Sequence, residues 1–599
     1  MSKKALASAW TAALASLVML SAAAPASAAG RVTISPAPGT PDVNPQTQIS
    51  ILGPHPDAIR SVTVTGAVSG PHPGSLASYS GNRGASFLLD QPLNAGEEVS
   101  ATVRIRGMET RRFNFTVARL GPPQPPLTLT SHQPEKLQSF VSEPGLEPPK
   151  ITVNHTSSRA RGDGSFLLTP LPSPVVHPGS TITVSIKPVG PGGPMIVDED
   201  GQLVWFEQYT PPEVAANLRI QRYRGKQVLT WWRGTVTPTA FGVGRGVIAN
   251  KSYEPIAEVT AGNGYPTDLH EFSLTRHGDA VFPIYSPILV HLPGTPEGTL
   301  SPLMDSIVQQ VDVKTGLVVW EWHAYGHVPL EESMATPALS ASYDAFHINS
   351  IQVLPQGKLL VSMRNASALY KVDRSSGRIV WTLGGDFSDF ELGPGARFYF
   401  QHDALMQPGR RVSLFDDQAG PPEYAPSSRG LVLKLRGKPR RATVEQVYHR
   451  QADTSAQSEG SVQTLPDGDV FVGWGAQPFF SQFSPRGRLL FDASLPDDDG
   501  SYRVYREPWS AKPKTLPTAA AVGTDAGVSV YASWNGATEV ARWQALAQDA
   551  SGGLAPLATA KRTGFETRID VPAGASAFAV RALDADGEVL ATSDPVSPG

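Results

Sequence analysis

The sequence predicts an all-β chain, a six-bladed β-propeller flanked by an N-terminal Ig-like and a C-terminal fibronectin-III-like sandwich. Three observations lead there. Glycine and proline number 56 and 55 in 599 residues, well above the roughly 12% of average usage, so turns are frequent and long helices cannot dominate. Both ends carry short runs that alternate apolar and polar residues, the period of a half-buried strand. Between them one short motif recurs, each time followed by a turn and an apolar strand. At roughly 150 residues per domain the chain holds about four domain-equivalents, enough for a propeller and two smaller partners.

The first element is an address. Lys3 and Lys4 precede an apolar run over 5–20 and the small-x-small pattern Ala26-Ser27-Ala28, the layout of a secretory signal peptide over 1–28. The run is too short and Ala-rich to serve as a membrane span, and no later stretch reaches transmembrane length. The expected location is therefore secreted, extracellular or periplasmic. There, nucleotide-activated donors are lacking, and no Gly-rich phosphate loop is present to bind them, so a substrate must carry its own activation. A net charge of −4 with 17% charged residues gives no basic field for nucleic acid. The absence of cysteine removes disulfides, thiolate catalysis, Cys-ligated zinc and Fe–S clusters.

Residues 29–120 read as the Ig-like sandwich, with runs such as Ser61-Val62-Thr63-Val64 and the alternating stretch 99–105. A Pro-rich linker over 121–137 follows (Gly121-Pro122-Pro123-Gln124-Pro125-Pro126), semi-rigid and extended. The propeller is expected over 138–512. Strand-like runs at 528–534, 541–547, 566–571, 577–582 and 588–592 make 513–599 the fibronectin-III-like domain.

Within the propeller three segments align without gaps: Leu269-His270-Glu271-Phe272, Phe346-His347-Ile348-Asn349 and Gln401-His402-Asp403-Ala404. A fourth, Gln457-Ser458-Glu459-Gly460, lacks the histidine. Each is followed by an inner turn and strand and, in three copies, by an outer hairpin ending in Gly-x-x-x-Trp or Phe, at 316–320, 377–381 and 487–491. The unit 224–259, and a closing blade made of 195–206 with the stretch near 502–509, bring the count to six. Equivalent positions of consecutive blades converge on the channel mouth, so His270, His347 and His402 should meet there. Two chemistries fit them. Three imidazoles with an open position suit zinc or copper. Alternatively one imidazole is a nucleophile while the others, with Arg364 on the following strand, stabilise an anionic group in flight. A fixed guanidinium repels a cation and suits a tetrahedral oxyanion, which weighs against the metal.

As an ordered set, His347-Ile348-Asn349-Ser350, Ser362-Met363-Arg364, the run 373–381, Gln401-His402-Asp403 and Leu414-Phe415-Asp416-Asp417 resemble the bacterial arylsulfotransferase family. Gly193-Pro194-Met195-Ile196-Val197-Asp198, with 201–206, resembles that family's first blade, so the resemblance covers roughly 138–510. It implies exported six-bladed enzymes that move a sulfuryl group from a phenolic sulfate donor to a phenol acceptor, independently of PAPS, by ping-pong through a sulfo-histidine. It further implies His402 as nucleophile, His270, His347 and Arg364 as holders of the sulfuryl oxygens, Asn349 as their polar neighbour in the substrate site, and neither a cofactor nor a metal. The chemistry is coherent. Imidazole is mostly neutral at neutral pH, and sulfuryl transfer, like phosphoryl transfer, spreads charge over equatorial oxygens that fixed cationic or hydrogen-bonding groups can meet. The chain departs from the enterobacterial branch, whose characterised members carry a cysteine pair. The terminal sandwiches are not needed for the chemistry, which leaves dimerisation or surface association open to them. Two other classes stay open at this level. One is a propeller that binds a ligand or partner without catalysis. The other is a quinone- or metal-dependent propeller enzyme, suggested by Val311-Asp312-Val313-Lys314-Thr315-Gly316 running to Trp320.

Overall fold

The structure, a computed structural model, describes residues 32–599 except 129–131, 161, 163, 173, 177–181, 185–188, 338–341, 419–423 and 451–453. The signal peptide expected at 1–28 lies outside the described residues. The molecule is all-β: strands alternate with turns and only single-turn 3-10 helices occur among the described residues. Among the described residues no helix is long and apolar enough to cross a membrane.

The N-terminal runs fold as their alternation requires. Along Glu98–Ile105 the residues Val99, Ala101, Val103 and Ile105 point inward while Glu98, Ser100 and Arg104 face water. This strand lies in a four-stranded sheet with Ile59–Gly66, Gly70–His72 and Arg111–Thr116, and a second sheet of Thr33–Ser35, Ile49–Leu52, Gly84–Leu89 and Gly74–Ser78 packs against it. Their shared core includes Ile49, Ile51, Val64, Phe87 and Phe115. At the C-terminus a three-stranded sheet (Thr518–Thr524, Gly527–Ser533, Glu566–Val571) faces a four-stranded one (Leu554–Lys561, Arg542–Gln548, Phe578–Leu583, Val589–Thr592) across Val530, Trp534, Trp543 and Phe578.

Between the sandwiches run the propeller sheets, each with four consecutive antiparallel strands in chain order; the sheet of His402–Gln407 to Arg440–Tyr448 gains a fifth, Glu391–Leu392, parallel to Arg440–Tyr448. They comprise Val214–Tyr223 to Pro255–Val259, Ser273–Leu274 to Val318–His323, Ile348–Leu354 to Ile379–Gly384, His402–Gln407 to Arg440–Tyr448, and Ser461–Thr464 to Leu489–Ser494. The expected unit at 224–259 thus begins earlier, with Val214–Tyr223 as its inner strand. A closing sheet takes Tyr505–Glu507 from the propeller's end and Ser165–Leu168, Met195–Val197 and Leu203–Phe206 from its start. Ser165–Leu168, between the two stretches that sequence reading joined, was not foreseen. Neither was Thr152–Thr156, which adds an outer strand against Leu489–Ser494. Phe166 locks this closure: it is fully buried, with ring centroids 5.5, 5.2 and 4.7 Å from Phe471, Phe480 and Phe491. The outer-hairpin glycines Gly316, Gly377 and Gly487 sit at φ of 72°, 69° and 80°, a left-handed turn that disfavours other residues, which explains their return in each copy.

Polar contacts join neighbouring sheets around the ring. Arg219 donates to the Phe272 carbonyl (2.7 Å), Tyr285 to that of Ile348 (2.7 Å), Ser350 Oγ accepts from the Ala404 N–H (3.1 Å), and Asp403 from that of Val462 (3.1 Å). Gln463 and Arg506 exchange side-chain–backbone bonds of 2.8 and 3.1 Å, and Leu167, Ala215, Leu218 and Trp231 pack in the remaining interval. At the centre Arg503, with no exposed surface, donates to Glu271 (3.1 Å) and to the carbonyls of His270 (3.2 Å) and Asn349 (2.9 Å). The Pro-rich stretch is laid on the propeller: the Gly121 and Leu127 N–H groups donate to the carbonyls of Pro287 (2.8 Å) and Val236 (2.7 Å).

Candidate active site

The repeat positions converge as their spacing requires. His270, His347, His402 and Ser458, the equivalent residues of four consecutive copies, line one cavity with Glu459 and Tyr502, and Leu127, Leu171, Val236 and Leu269 supply apolar wall. The backbone is strained here. His347, Asp403 and Glu459 hold φ of 55°, 47° and 70°, a region non-glycine residues enter at a cost that clusters at functional sites. The pairing register also shifts just after Ile348 and His402, and such bulges re-aim side chains.

Every histidine is held in the same way. The Nδ1 atoms of His270, His347 and His402 lie 2.6, 2.6 and 2.8 Å from carboxylate oxygens of Asp268, Asp344 and Asp417. A carboxylate on Nδ1 fixes tautomer and ring orientation and leaves Nε2 for the cavity. At His402 the tautomer follows from geometry. The Glu459 backbone N–H donates to Nε2 across 3.2 Å, so Nε2 carries a lone pair and Nδ1 the proton given to Asp417. Burial, then the charge of Arg364 and the neighbouring imidazoles, hold His402 well below the ordinary histidine range. Burial also lowers His347, against the pull of Asp344. His402 is therefore an uncharged imidazole whose Nε2 lone pair is engaged by the Glu459 N–H. Burial raises the Asp417 carboxyl, opposed by Arg364.

Arg364 and Asn349 stand behind this wall and do not line the cavity. Arg364 is 4% exposed, donates to Asn365 Oδ1 (2.9 Å) and the Gln457 carbonyl (3.0 Å), and lies 4.8 Å over the Phe400 ring. Its Nε is buried without a hydrogen-bond partner. Asn349 donates across 2.6 Å to the carbonyl of Gln401, the residue before His402, which makes it a positioning residue. Phe346, Phe398 and Trp474, aromatic residues beside the repeat, belong to the blade cores.

Sequence reasoning missed the three aspartates and Glu459. Asp268 and Asp344 stand two and three residues ahead of their histidines, and Asp417 ends the Leu414–Asp417 motif, so the signal was an acid beside each repeat histidine. Glu459 was hidden in the copy that lacks histidine. It faces the cavity, its Oε2 is buried without a partner, and burial pushes its carboxyl up to about 8. Among the described residues the imidazole nitrogens of the three repeat histidines do not form a metal-binding set; the cluster whose ligand atoms all come within 4.8 Å of one another is Asp42, Asp305 and His323.

No curated protein matches the chain in sequence. Similar solved structures include the periplasmic gluconolactonase of Pseudomonas aeruginosa, 14% identical over 72% of this chain and 97% of that one with a TM-score of 0.27. An auxiliary nutrient binding protein from Bacteroides ovatus is 10% identical over 80% of this chain and 92% of its own, with a TM-score of 0.27. Over residues 219–495, the stretch that carries all three cavity histidines, the chain matches the family model for arylsulfotransferase (ASST).

Proposed function

We propose that this chain is an aryl sulfotransferase that moves a sulfuryl group from a phenolic sulfate ester to a phenol through a sulfo-histidine at His402. One observation carries the reading: an uncharged imidazole, its Nδ1 proton held by Asp417, lines a cavity shared with two more carboxylate-held imidazoles, within the stretch that matches the family, and its Nε2 becomes the nucleophile once substrate displaces the Glu459 N–H.

In the first half-reaction Nε2 attacks sulfur, an N–S bond forms, and the S–O bond to the phenol breaks. The departing phenolate takes a proton from the Glu459 carboxyl, which is still protonated at neutral pH and stands in general-acid position. His270 and His347 flank the sulfuryl group from the cavity wall, each held at Nδ1 by its aspartate; donation to a sulfuryl oxygen requires a proton on Nε2 as well, brought in with the anionic substrate. Arg364 acts from behind as a fixed positive charge in a low-dielectric setting, where such a charge is worth far more than in water. Asp417 balances the positive charge of the sulfated imidazole. In the second half-reaction the Glu459 carboxylate removes the proton of an acceptor phenol, its oxygen attacks sulfur, and the N–S bond breaks to restore His402. An activated sulfate ester as donor agrees with the export signal expected over 1–28, since nucleotide donors are lacking outside the cytoplasm.

The test is release of nitrophenol from 4-nitrophenyl sulfate, with and without added phenol, in wild type and His402→Ala. The proposal expects acceptor-dependent turnover with sulfate recovered on the phenol, abolished in the variant. A well-folded wild type with no turnover would favour a ligand-binding propeller.

A further inference from the structure

We propose that Asp42, Asp305 and His323 bind a divalent metal ion of the zinc class that clamps the N-terminal sandwich to the propeller. The proposal is independent of the sulfuryl chemistry, for this cluster lies outside that cavity.

Asp42 precedes Val43, which bridges to Val117 within the sandwich, while Asp305 and His323 stand on the paired strands Ser301–Asp312 and Val318–His323. The donors are buried, at 3%, 0% and 2% exposure. His323 Nδ1 lies 3.1 Å from Asp42 Oδ1 and 2.9 Å from Asp305 Oδ2. Both Asp42 oxygens are buried and accept no well-formed hydrogen bond, so a carboxylate points into the cluster with only the close approach of His323 Nδ1 against it. Among the described residues no lysine or arginine pairs with Asp42, Asp305 or Glu321; His323 alone faces these three carboxylates. A single imidazolium leaves that buried set short of positive charge, a costly arrangement. A dication opposite Asp42 and Asp305 removes the deficit.

The surroundings match the support a metal-bound histidine requires. His323 Nε2 lies 3.0 Å from Glu321 Oε1, and Glu321 Oε2 accepts from Asn263 (2.9 Å) and Gln309 (2.6 Å). This is the carboxylate–histidine relay that fixes a ligand's tautomer and raises its basicity, leaving Nδ1 for the ion. Asp305 Oδ1 is likewise held by the Tyr325 N–H at 2.9 Å. One imidazole with two carboxylates favours zinc over magnesium or calcium, which prefer all-oxygen shells. On binding, Nδ1 loses its proton to solvent as the N–metal bond forms.

The experiment measures metal content by mass spectrometry after dialysis against Zn²⁺, and Tm with and without chelator, for wild type, Asp42→Asn and the double variant His347→Ala/His402→Ala. The expected result is one zinc per wild-type chain, a Tm that falls by a few degrees with chelator and recovers with Zn²⁺, retention of the zinc in the double variant, and its loss in Asp42→Asn. A wild type that takes up no zinc and ignores chelator overturns the proposal and makes the cluster a proton-sharing ion network. Loss of zinc in the double variant also overturns it, by placing the ion at the cavity histidines even if Asp42→Asn does not fold.

Discussion

Substituting Glu459 by glutamine separates proton delivery from nucleophilic attack. The side chain lines the cavity with His402, and its carboxyl titrates at about 8. From that value about nine-tenths of the enzyme carries the proton near pH ~7 and about one-tenth near pH ~9, so proton-dependent turnover falls about tenfold across the interval. The loss in Glu459→Gln depends on the leaving group. Nitrophenolate departs without a proton, so 4-nitrophenyl sulfate loses little. Unsubstituted phenol, with a pKa near the ~10 of tyrosine, needs the acid, and its ester should lose about 10² to 10⁴ in rate. The assay is kcat/KM for both esters between pH ~6 and ~10, a window set by the same carboxyl. Stability gives a second reading. Burial raises this carboxyl from 4.5 to about 8, so its contribution is fully present below about 4.5 and is lost as pH rises through about 8. The glutamine variant should lack that slope in Tm. A variant that keeps the alkaline limb, or loses equally on both esters, would refute the assignment.

Three further outcomes follow from the geometry. Asp417→Asn removes the charge opposite His402 Nδ1 and should cost about 1.5–3 kcal/mol of transition-state stabilisation, roughly ten- to a hundredfold in kcat/KM. Its Tm should hold or rise, because a buried carboxyl raised by desolvation is relieved. Arg364→Ala removes a charge that depresses His402, so the acid limb of kcat/KM should move to higher pH while kcat falls; an unmoved limb would separate Arg364 from the nucleophile. Phe166→Ala empties the contact with Phe471, Phe480 and Phe491 and should destabilise the fold by about 3–5 kcal/mol in denaturant titration, leaving KM unchanged in the fraction that folds.

Much of the propeller was legible because a repeat fold writes one local rule several times. The turn glycines at 316, 377 and 487 and the position shared by His270, His347 and His402 could be aligned without any other protein. What escaped was long-range. Ser165–Leu168 and Thr152–Thr156 are short strands that become meaningful only when the ring closes on Tyr505–Glu507 and Leu489–Ser494. Val214–Tyr223 was missed at its polar outer half, where Arg219, Gln221 and Arg222 broke the apolar signal. At the site, strand position and family resemblance placed Arg364 and Asn349 among the groups around the sulfuryl oxygens. In the structure Asn349 is turned to the Gln401 carbonyl and Arg364 to Asn365 and the Gln457 carbonyl, so neither lines the cavity. Glu459 reached the cavity through the copy that had lost its histidine, since convergence on the axis belongs to the position and not to the residue.

The central claim is that sulfur passes through His402. The direct measurement is mass spectrometry of peptides from wild-type protein mixed with 4-nitrophenyl sulfate without acceptor and quenched in alkali. The account predicts one added SO₃ on the peptide carrying His402, removed when phenol is supplied before the quench. The label on His270 or His347, or sustained turnover with no labelled histidine, would contradict it.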